Sequence, residues 1–354
     1  MLGASIYLAE PLSENLAYLK TVAHQGVHTI FTSLHLPEDD PQATLAALKV
    51  IAKEAQALAL DLIIDISTAT LERYELSLES GIAFFKELGA SSLRMDYGFS
   101  PKAIANYAKH FQVVLNASTV DENLLKELQE AGANLKQFKV MHNFYPRELT
   151  GLSLEFLTAR NQLFKNFGLT VMAFIPGFEK TRGPLHAGLP TVEAHRTTDA
   201  LTAYLELQQA LVDEVVVGDI QIKTAAAERI QAWEEQQLIT LPVHLVVAPA
   251  DLPPNFWEVQ QNRQDVAAKV IRSAMSRVVL KDETIAPVNT VERPRGAITI
   301  DNDAYGRYKG EIQLLKMTAP ADQRVNVLGQ VHDSALTLLE HIGSNQKFRF
   351  VEVD

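Results

Sequence analysis

The chain has no cysteine among its 354 residues, which excludes disulfide frameworks, thiolate metal sites and cysteine nucleophiles together. A cytoplasmic protein is the simplest reading of that absence. The sequence also lacks a G-x-G-x-x-G after its first apolar run and a G-x-x-x-x-G-K-[ST] anywhere, so the phosphate loops of nucleotide-binding folds have no counterpart. There is no H-E-x-x-H and no tight set of histidines and carboxylates at ligand spacing, which argues against a metal enzyme; no cofactor is expected. The opening residues MLGASIYLAEPLSENL carry neither a basic region nor a long apolar stretch, so neither export nor membrane insertion is expected. Positive charge is scarce: the formal net charge of -11 leaves no basic footprint for nucleic acid. An anionic substrate would have to be captured by a few local arginines.

What the sequence does contain is an average globular composition, 47% hydrophobic and 21% charged, able to bury a large core without metal or disulfide support. Its length suits a barrel-sized domain followed by a smaller one. Over the first 240 residues, short β-branched runs alternate with longer stretches of helical period, the pattern of βαβ units around a parallel sheet. Strands are expected near 3–8, 28–33, 61–66, 92–97, 112–117, 136–142, 170–175 and 214–218, and helices near 12–24, 43–59, 77–88, 121–131, 153–166, 198–210 and 222–236. Runs such as Leu62–Ile66 and Val215–Asp219 are apolar on both faces and turn polar at the end, as barrel strands do when they deliver side chains to a catalytic face. The expected fold is a (β/α)8 barrel over residues 1–238 and a small β-rich domain over 239–354, punctuated by prolines throughout, in which one helix-like stretch at 261–275 precedes alternating segments.

Side chains alternate across a strand, so Arg94 and Asp96 project to one side near a strand's C-terminal end. They would form either an ion pair holding the barrel together or a catalytic carboxylate beside a cation. Glu10, Asp65 and Asp219 fall at equivalent strand ends, where acids also cap helices; Glu38 and Asp39 beside Pro41 read as helix-start residues. Two carboxyl groups flanking one bond are what glycoside hydrolysis commonly needs. The loop His142-Asn143-Phe144-Tyr145-Pro146-Arg147 offers Tyr145 for stacking and Asn143 for hydrogen bonding to a polar ring. The longest connection runs from Ile175 to Arg196, and its Arg182, Gly183 and Arg196 would supply charge and open backbone N–H groups for an anion, with Glu193 either a helix-start acid or a substrate contact. Lys139 and Lys223 are the lysines to weigh for Schiff-base chemistry, although both read as solvated.

Taken in order, Gly3–Tyr7, Phe31–Leu34, Arg94–Gly98, Leu115–Ser118, His142–Arg147, Thr150–Leu152, Arg182–Pro184 and Gly188–Arg196, with Asn302–Glu311 in the second domain, resemble the bacterial 6-phospho-N-acetylmuramidase family, first described as a domain of unknown function. The resemblance spans the chain and implies a TIM barrel followed by a cyclophilin-like β-barrel. It also implies hydrolysis of the β-1,4 bond of N-acetylmuramic acid 6-phosphate–N-acetylglucosamine during cell-wall recycling. With that substrate in view, Asp96 is expected to be one catalytic carboxyl group and Glu10 or Asp219 the other. Arg182 and Arg196 would hold the 6-phosphate, and Arg94, Asn116, His142, Asn143, Tyr145, Arg147, Gly183, Glu193 and His195 would complete the binding set, with Tyr305 and Arg307 of the small domain closing over it. The rival readings are a phosphosugar aldolase or isomerase, and a carbohydrate-binding protein without catalysis.

Overall fold

In the computed structural model, which describes residues 1–34 and 41–352, eight parallel strands close into a barrel. They are β1 (Leu2–Ser5), β2 (Thr29–Ser33), β3 (Asp61–Ile66), β4 (Ser92–Met95), β5 (Gln112–Asn116), β6 (Lys139–Met141), β7 (Thr170–Ile175) and, after a short β8 (Phe178–Lys180), β9 (Glu214–Val217). Each pairs with the next in register, and β9 returns to β1 through Leu2↔Val215 and Gly3↔Val216. Around them lie α1 (Leu12–His24), α2 (Pro41–Ala57), α3 (Thr68–Arg73), α4 (Leu78–Glu87), α5 (Pro101–Tyr107), α6 (Glu122–Glu130), α7 (Leu154–Asn166), α8 (Ala200–Gln209) and α9 (Thr224–Gln236). The expected strands and helices are found within a few residues of their expected bounds, while α3 and α5 are additions. Glu38 and Asp39 lie outside the described residues.

The barrel interior is layered by the two-residue period of its strands. Phe31, Ile63, Val114, Met141, Met172, Phe174 and Val216 form one buried cluster across it. Two residues earlier on several of these strands stand Thr29, Asp61, Lys139 and Glu214, and they make a polar floor at the N-terminal end. There Lys139 Nζ lies 2.9 Å from Glu214 and 3.7 Å from Asp61. Lys139 is therefore neither solvated nor near the catalytic rim; it opens β6 and neutralises the floor. Two residues later come Ser33, Asp65 and Asn116 on their strands and Asn143 just beyond β6, which face the C-terminal mouth.

The chain divides into two compact units, Met1–Glu228 and Arg229–Asp354. The second is a seven-stranded sheet of β11 (Leu238–Leu245), β12 (Gln260–Gln261), β13 (Val270–Arg272), β14 (Ala297–Asp301), β15 (Ile312–Leu315), β16 (Val325–Val331) and β17 (Lys347–Glu352). The strand order is β12-β17-β11-β16-β14-β15-β13, and β10 (Gln221–Ile222) pairs separately with β8 in the first unit. A bridge between Asn262 and Ser273 joins the two edges, so the sheet is nearly a closed barrel. The helix expected over 261–275 is absent: Gln260 and Gln261 pair with β17 and residues 270–272 with β15, ladders from distant segments that override the local pattern. Phe256 stacks on Phe350 at 4.8 Å inside this unit.

Candidate active site

Arg94 organises the mouth of the barrel. Buried at β4's end, it donates from Nη1 to Asp65 Oδ1 (2.7 Å) and from Nη2 to Asn143 Oδ1 (2.6 Å), and Nη1 stands 3.4 Å from Asp96 Oδ1. Asn143 Nδ2 then donates to Ser118 Oγ (3.1 Å), the Ser118 N–H to Asn116 Oδ1 (2.9 Å), and Asn116 Nδ2 to Asp96 Oδ1 (2.5 Å). The chain of bonds closes on itself. Its direction fixes both amides, since each has its oxygen and nitrogen assigned by a neighbour that can only accept or only donate. The alternation that places Arg94 and Asp96 on one side is what lets the ring form. Asp65 enters it by the same rule, because Ile63 two residues before it lines the barrel, a signal already present in the sequence Leu62-Ile63-Ile64-Asp65. Ser118 carries no comparable signal, for one of its two bonds in the ring is made by its backbone N–H.

Across the mouth, the Ile175–Arg196 connection is held by Asp219. Its Oδ2 accepts from the N–H groups of Gly177 (2.9 Å) and Leu189 (3.3 Å), and its Oδ1 from that of Arg182 (3.2 Å). Burial pushes this carboxyl up from its ordinary value, against three N–H donors that favour its charge. Asp219 has no exposed surface, so it pins a loop instead of meeting substrate. Gly177 is required there, since a Cβ would come within 2.1 Å of the Gln221 carbonyl oxygen. The Arg182 guanidinium lies 4.6 Å above the centre of the buried Tyr7 ring, whose hydroxyl donates to the Gly218 carbonyl. Among the described residues no carboxylate pairs with Arg182, and the Gly183 N–H is unclaimed. Tyr7 packs with Leu189, Ile220 and Phe144. Phe144 follows Asn143 directly in the chain, so Arg182 and the Asp96 ring share one end of the barrel.

Arg196 proves to be a loop clamp. Its guanidinium donates to both Glu193 oxygens (2.8 Å each) and to the carbonyls of Ala187, Gly188, Tyr145 and Arg147 at 3.0–3.2 Å, which uses its donors and leaves none for a phosphate. Glu193 in turn accepts from the N–H groups of Leu149 (2.8 Å) and Gly151 (2.7 Å), and Arg196 foremost among these donors holds its carboxyl down to about 2. It opens the short 3-10 turn Glu193–Arg196, as the helix-start reading expected, and this clasp takes up its oxygens. A Cβ at Gly151 would sit 2.6 Å from Glu193 Oε2, so the clasp needs glycine there.

The two histidines also face away from the mouth. His142 lies buried at 2.7 Å from Asn161 Oδ1 of α7; because Asn161 Nδ2 donates to the Ala210 carbonyl, His142 Nε2 must be the donor. Burial pushes its imidazole down to about 4. His195 is fully buried with Nε2 2.9 Å from Glu206. Tyr145 is half-buried, and Arg147 is exposed. Glu10, after β1, pairs with Lys180 at 2.7 Å, and Lys223 is exposed just before α9. Tyr305 and Arg307 belong to the second unit, where Arg324 lies over the Tyr305 ring at 4.5 Å and Arg307 Nη2 donates to the Tyr308 hydroxyl at 2.7 Å. Among the described residues no group of three or more His, Asp or Glu is placed to hold a metal ion, and no helix is long and apolar enough to cross a membrane.

No curated protein matches the chain. Two solved structures align over nearly all of it. A conserved protein of unknown function from Enterococcus faecalis is 32% identical, covering 99% of this chain and 96% of its own, with a TM-score of 0.89. An uncharacterized B. cereus protein is 28% identical, covering 99% of both chains, with a TM-score of 0.79. The model of the 6-phospho-N-acetylmuramidase N-terminal domain matches residues 2–232, and that of the C-terminal domain matches residues 240–351. Barrel and small unit are thus matched in the same order by two halves of one named glycosidase, and the chain belongs to the 6-phospho-N-acetylmuramidase family.

Proposed function

We propose that the protein hydrolyses the β-1,4 bond of N-acetylmuramic acid 6-phosphate–N-acetylglucosamine, as a cytoplasmic step in the recycling of cell-wall sugars. The observation that carries this reading is the pairing, at one mouth, of a carboxylate ring around Arg94 with an arginine that no carboxylate among the described residues claims. Asp96 is the proposed catalytic carboxylate. It is the strand-end acid whose side chain keeps some open surface (16%) while Asn116 and Arg94 hold it in place. Arg182, braced on Tyr7, and the Gly183 N–H are proposed to receive the 6-phosphate, a planar guanidinium being suited to two phosphate oxygens at once. Asn143 and Tyr145 line the sugar. Glu10 stays in the proposal as the proton donor, for which the Lys180 ion pair must open. Asp219 and Arg196 leave it, since three backbone N–H groups take up the first and the Glu193 carboxylate with four carbonyls takes up the second. The Schiff-base alternative loses Lys139 to the floor, and Lys223 is exposed instead of desolvated.

Incubation with the phosphorylated and unphosphorylated disaccharides, followed by mass spectrometry, tests the reading. Cleavage of the first with one water added across the glycosidic bond, and little of the second, is expected. Binding of both without turnover would replace it with a carbohydrate-binding role.

A further inference from the structure

Beside Asp96 the barrel rim carries a half-open cavity of about 240 Å³ that the ring itself does not use. Met95 and Leu115 line it from the strand ends, Ile104 from α5, and Val120 and Leu124 from the start of α6 and the turn before it. Phe99 adds to these apolar walls, the polar groups among the lining residues being Asp96, Asn116, Thr119 and the exposed Tyr97, and Thr119 Oγ1 already donates to the Asn116 carbonyl. Asp96 and Asn116 therefore belong both to the ring and to the cavity's entrance.

A short hydrocarbon joined to a polar linkage fits such a space, with its apolar end against Met95, Ile104 and Leu124 and its linkage at the entrance. The linkage chemistry is narrowed by charge. A carboxylate arriving at Asp96 would meet a like charge in a partly desolvated place, whereas an amide N–H can donate to Asp96 and an amide oxygen can accept. Size narrows it further. A water occupies about 30 Å³ in the liquid, so the cavity holds several groups of methyl size, more than one acetyl methyl fills.

Resting on the hydrolase reading above, we propose that this cavity receives the N-acyl chain of the amino sugar bound at Asp96, and that it accepts chains longer than acetyl. Each further CH2 buried there is worth up to about fourfold in kcat/KM. The experiment compares N-acetyl, N-propanoyl and N-butanoyl forms of the phosphorylated substrate, using the whole protein and two variants of the half-exposed Leu124. In the parent, kcat/KM is expected to hold or rise along the series. Leu124→Trp, which narrows the cavity, should keep the N-acetyl substrate within about threefold and cut the N-butanoyl one more than about tenfold. Leu124→Ala should move the preference toward the longer chains.

A parent that loses more than about tenfold with each added carbon overturns the proposal. So do variants that change all three substrates alike. Hydrolysis of the N-acetyl substrate separates these outcomes from failure of the hydrolase reading, because a parent with no turnover on any of the three removes that reading and the cavity proposal together.

Discussion

At the scale of single residues, the mouth shows two uses of the same chemistry. Asp96 and Asp219 both follow barrel strands, yet Asp219 spends its oxygens on three backbone N–H groups while the side chains of Asn116 and Arg94 hold Asp96, which keeps open surface. Arg182 and Arg196 differ in the same way, one braced on an aromatic face and one wrapped in carbonyls and a carboxylate. Replacing Asp96 with Asn keeps an oxygen to accept from Asn116 and leaves Arg94 its bond to Asp65. Asp96→Asn should therefore unfold near the parent temperature while kcat on the phosphodisaccharide falls by about 10²–10⁴-fold. Steady-state kinetics beside a thermal melt checks this, and a variant as active as the parent removes Asp96 from catalysis. The position of Asp96 is legible in the sequence because alternation along one strand is a local rule. The fates of Asp219 and Arg196 are not, since they depend on where a long loop folds back.

At the scale of elements, the same division explains what the sequence reveals about the fold. The barrel strands and long helices announce themselves through periods of two and 3.6 residues. The short α5 does so only through Ser100-Pro101, an N-cap whose hydroxyl accepts from the Ala103 N–H followed by proline in the first turn. The small sheet hides its order, because β11 runs parallel to β17 and antiparallel to β16, pairings set by segments far apart in sequence. The Glu193 clasp is equally non-local: it ties residues 149–151 to the turn at Glu193–Arg196. Glu193→Gln keeps the shape and removes the charge. Charge-assisted bonds discounted for solvent at this partly exposed side chain give a loss of about 1 kcal/mol. Because the carboxyl is held down to about 2 from an ordinary 4.5, the clasp's contribution is whole above pH 4.5 and fades as pH falls through about 2. The gap in melting temperature between parent and variant should thus be widest near neutral pH and close in strong acid. A gap that stays constant with pH would show that Glu193 acts through packing alone.

At the scale of the whole molecule, each unit carries a buried titrating group, and the two pull stability in opposite directions with pH. In the barrel, His142 titrates at about 4 in the folded state against an ordinary 6.5, because burial disfavours its charged form. The unfolded chain takes the proton first, so this residue lowers the barrel's stability as pH falls from 6.5 to about 4. In the second unit, burial of Asp301, reinforced by the nearby Glu311 and Asp322, lifts its carboxyl from 3.8 to about 7. Here the folded state holds the proton longer, and stability drains as pH rises from 3.8 through about 7. Both costs thus fall in the same acid window, about pH 4 to 7, and run in opposite directions, the His142 one in the barrel and the Asp301 one in the second unit. Asp301→Asn removes the second: protection of β14 and β15 in hydrogen exchange should rise above pH 7 and change little near pH 4, with the barrel strands unaffected. His142→Gln, which still offers a donor to Asn161, should flatten the acid-side loss in β6 and α7 and leave the second unit as it was. If either variant shifts both units together at every pH, the cost is shared across the molecule and the assignment of one cost to each residue fails.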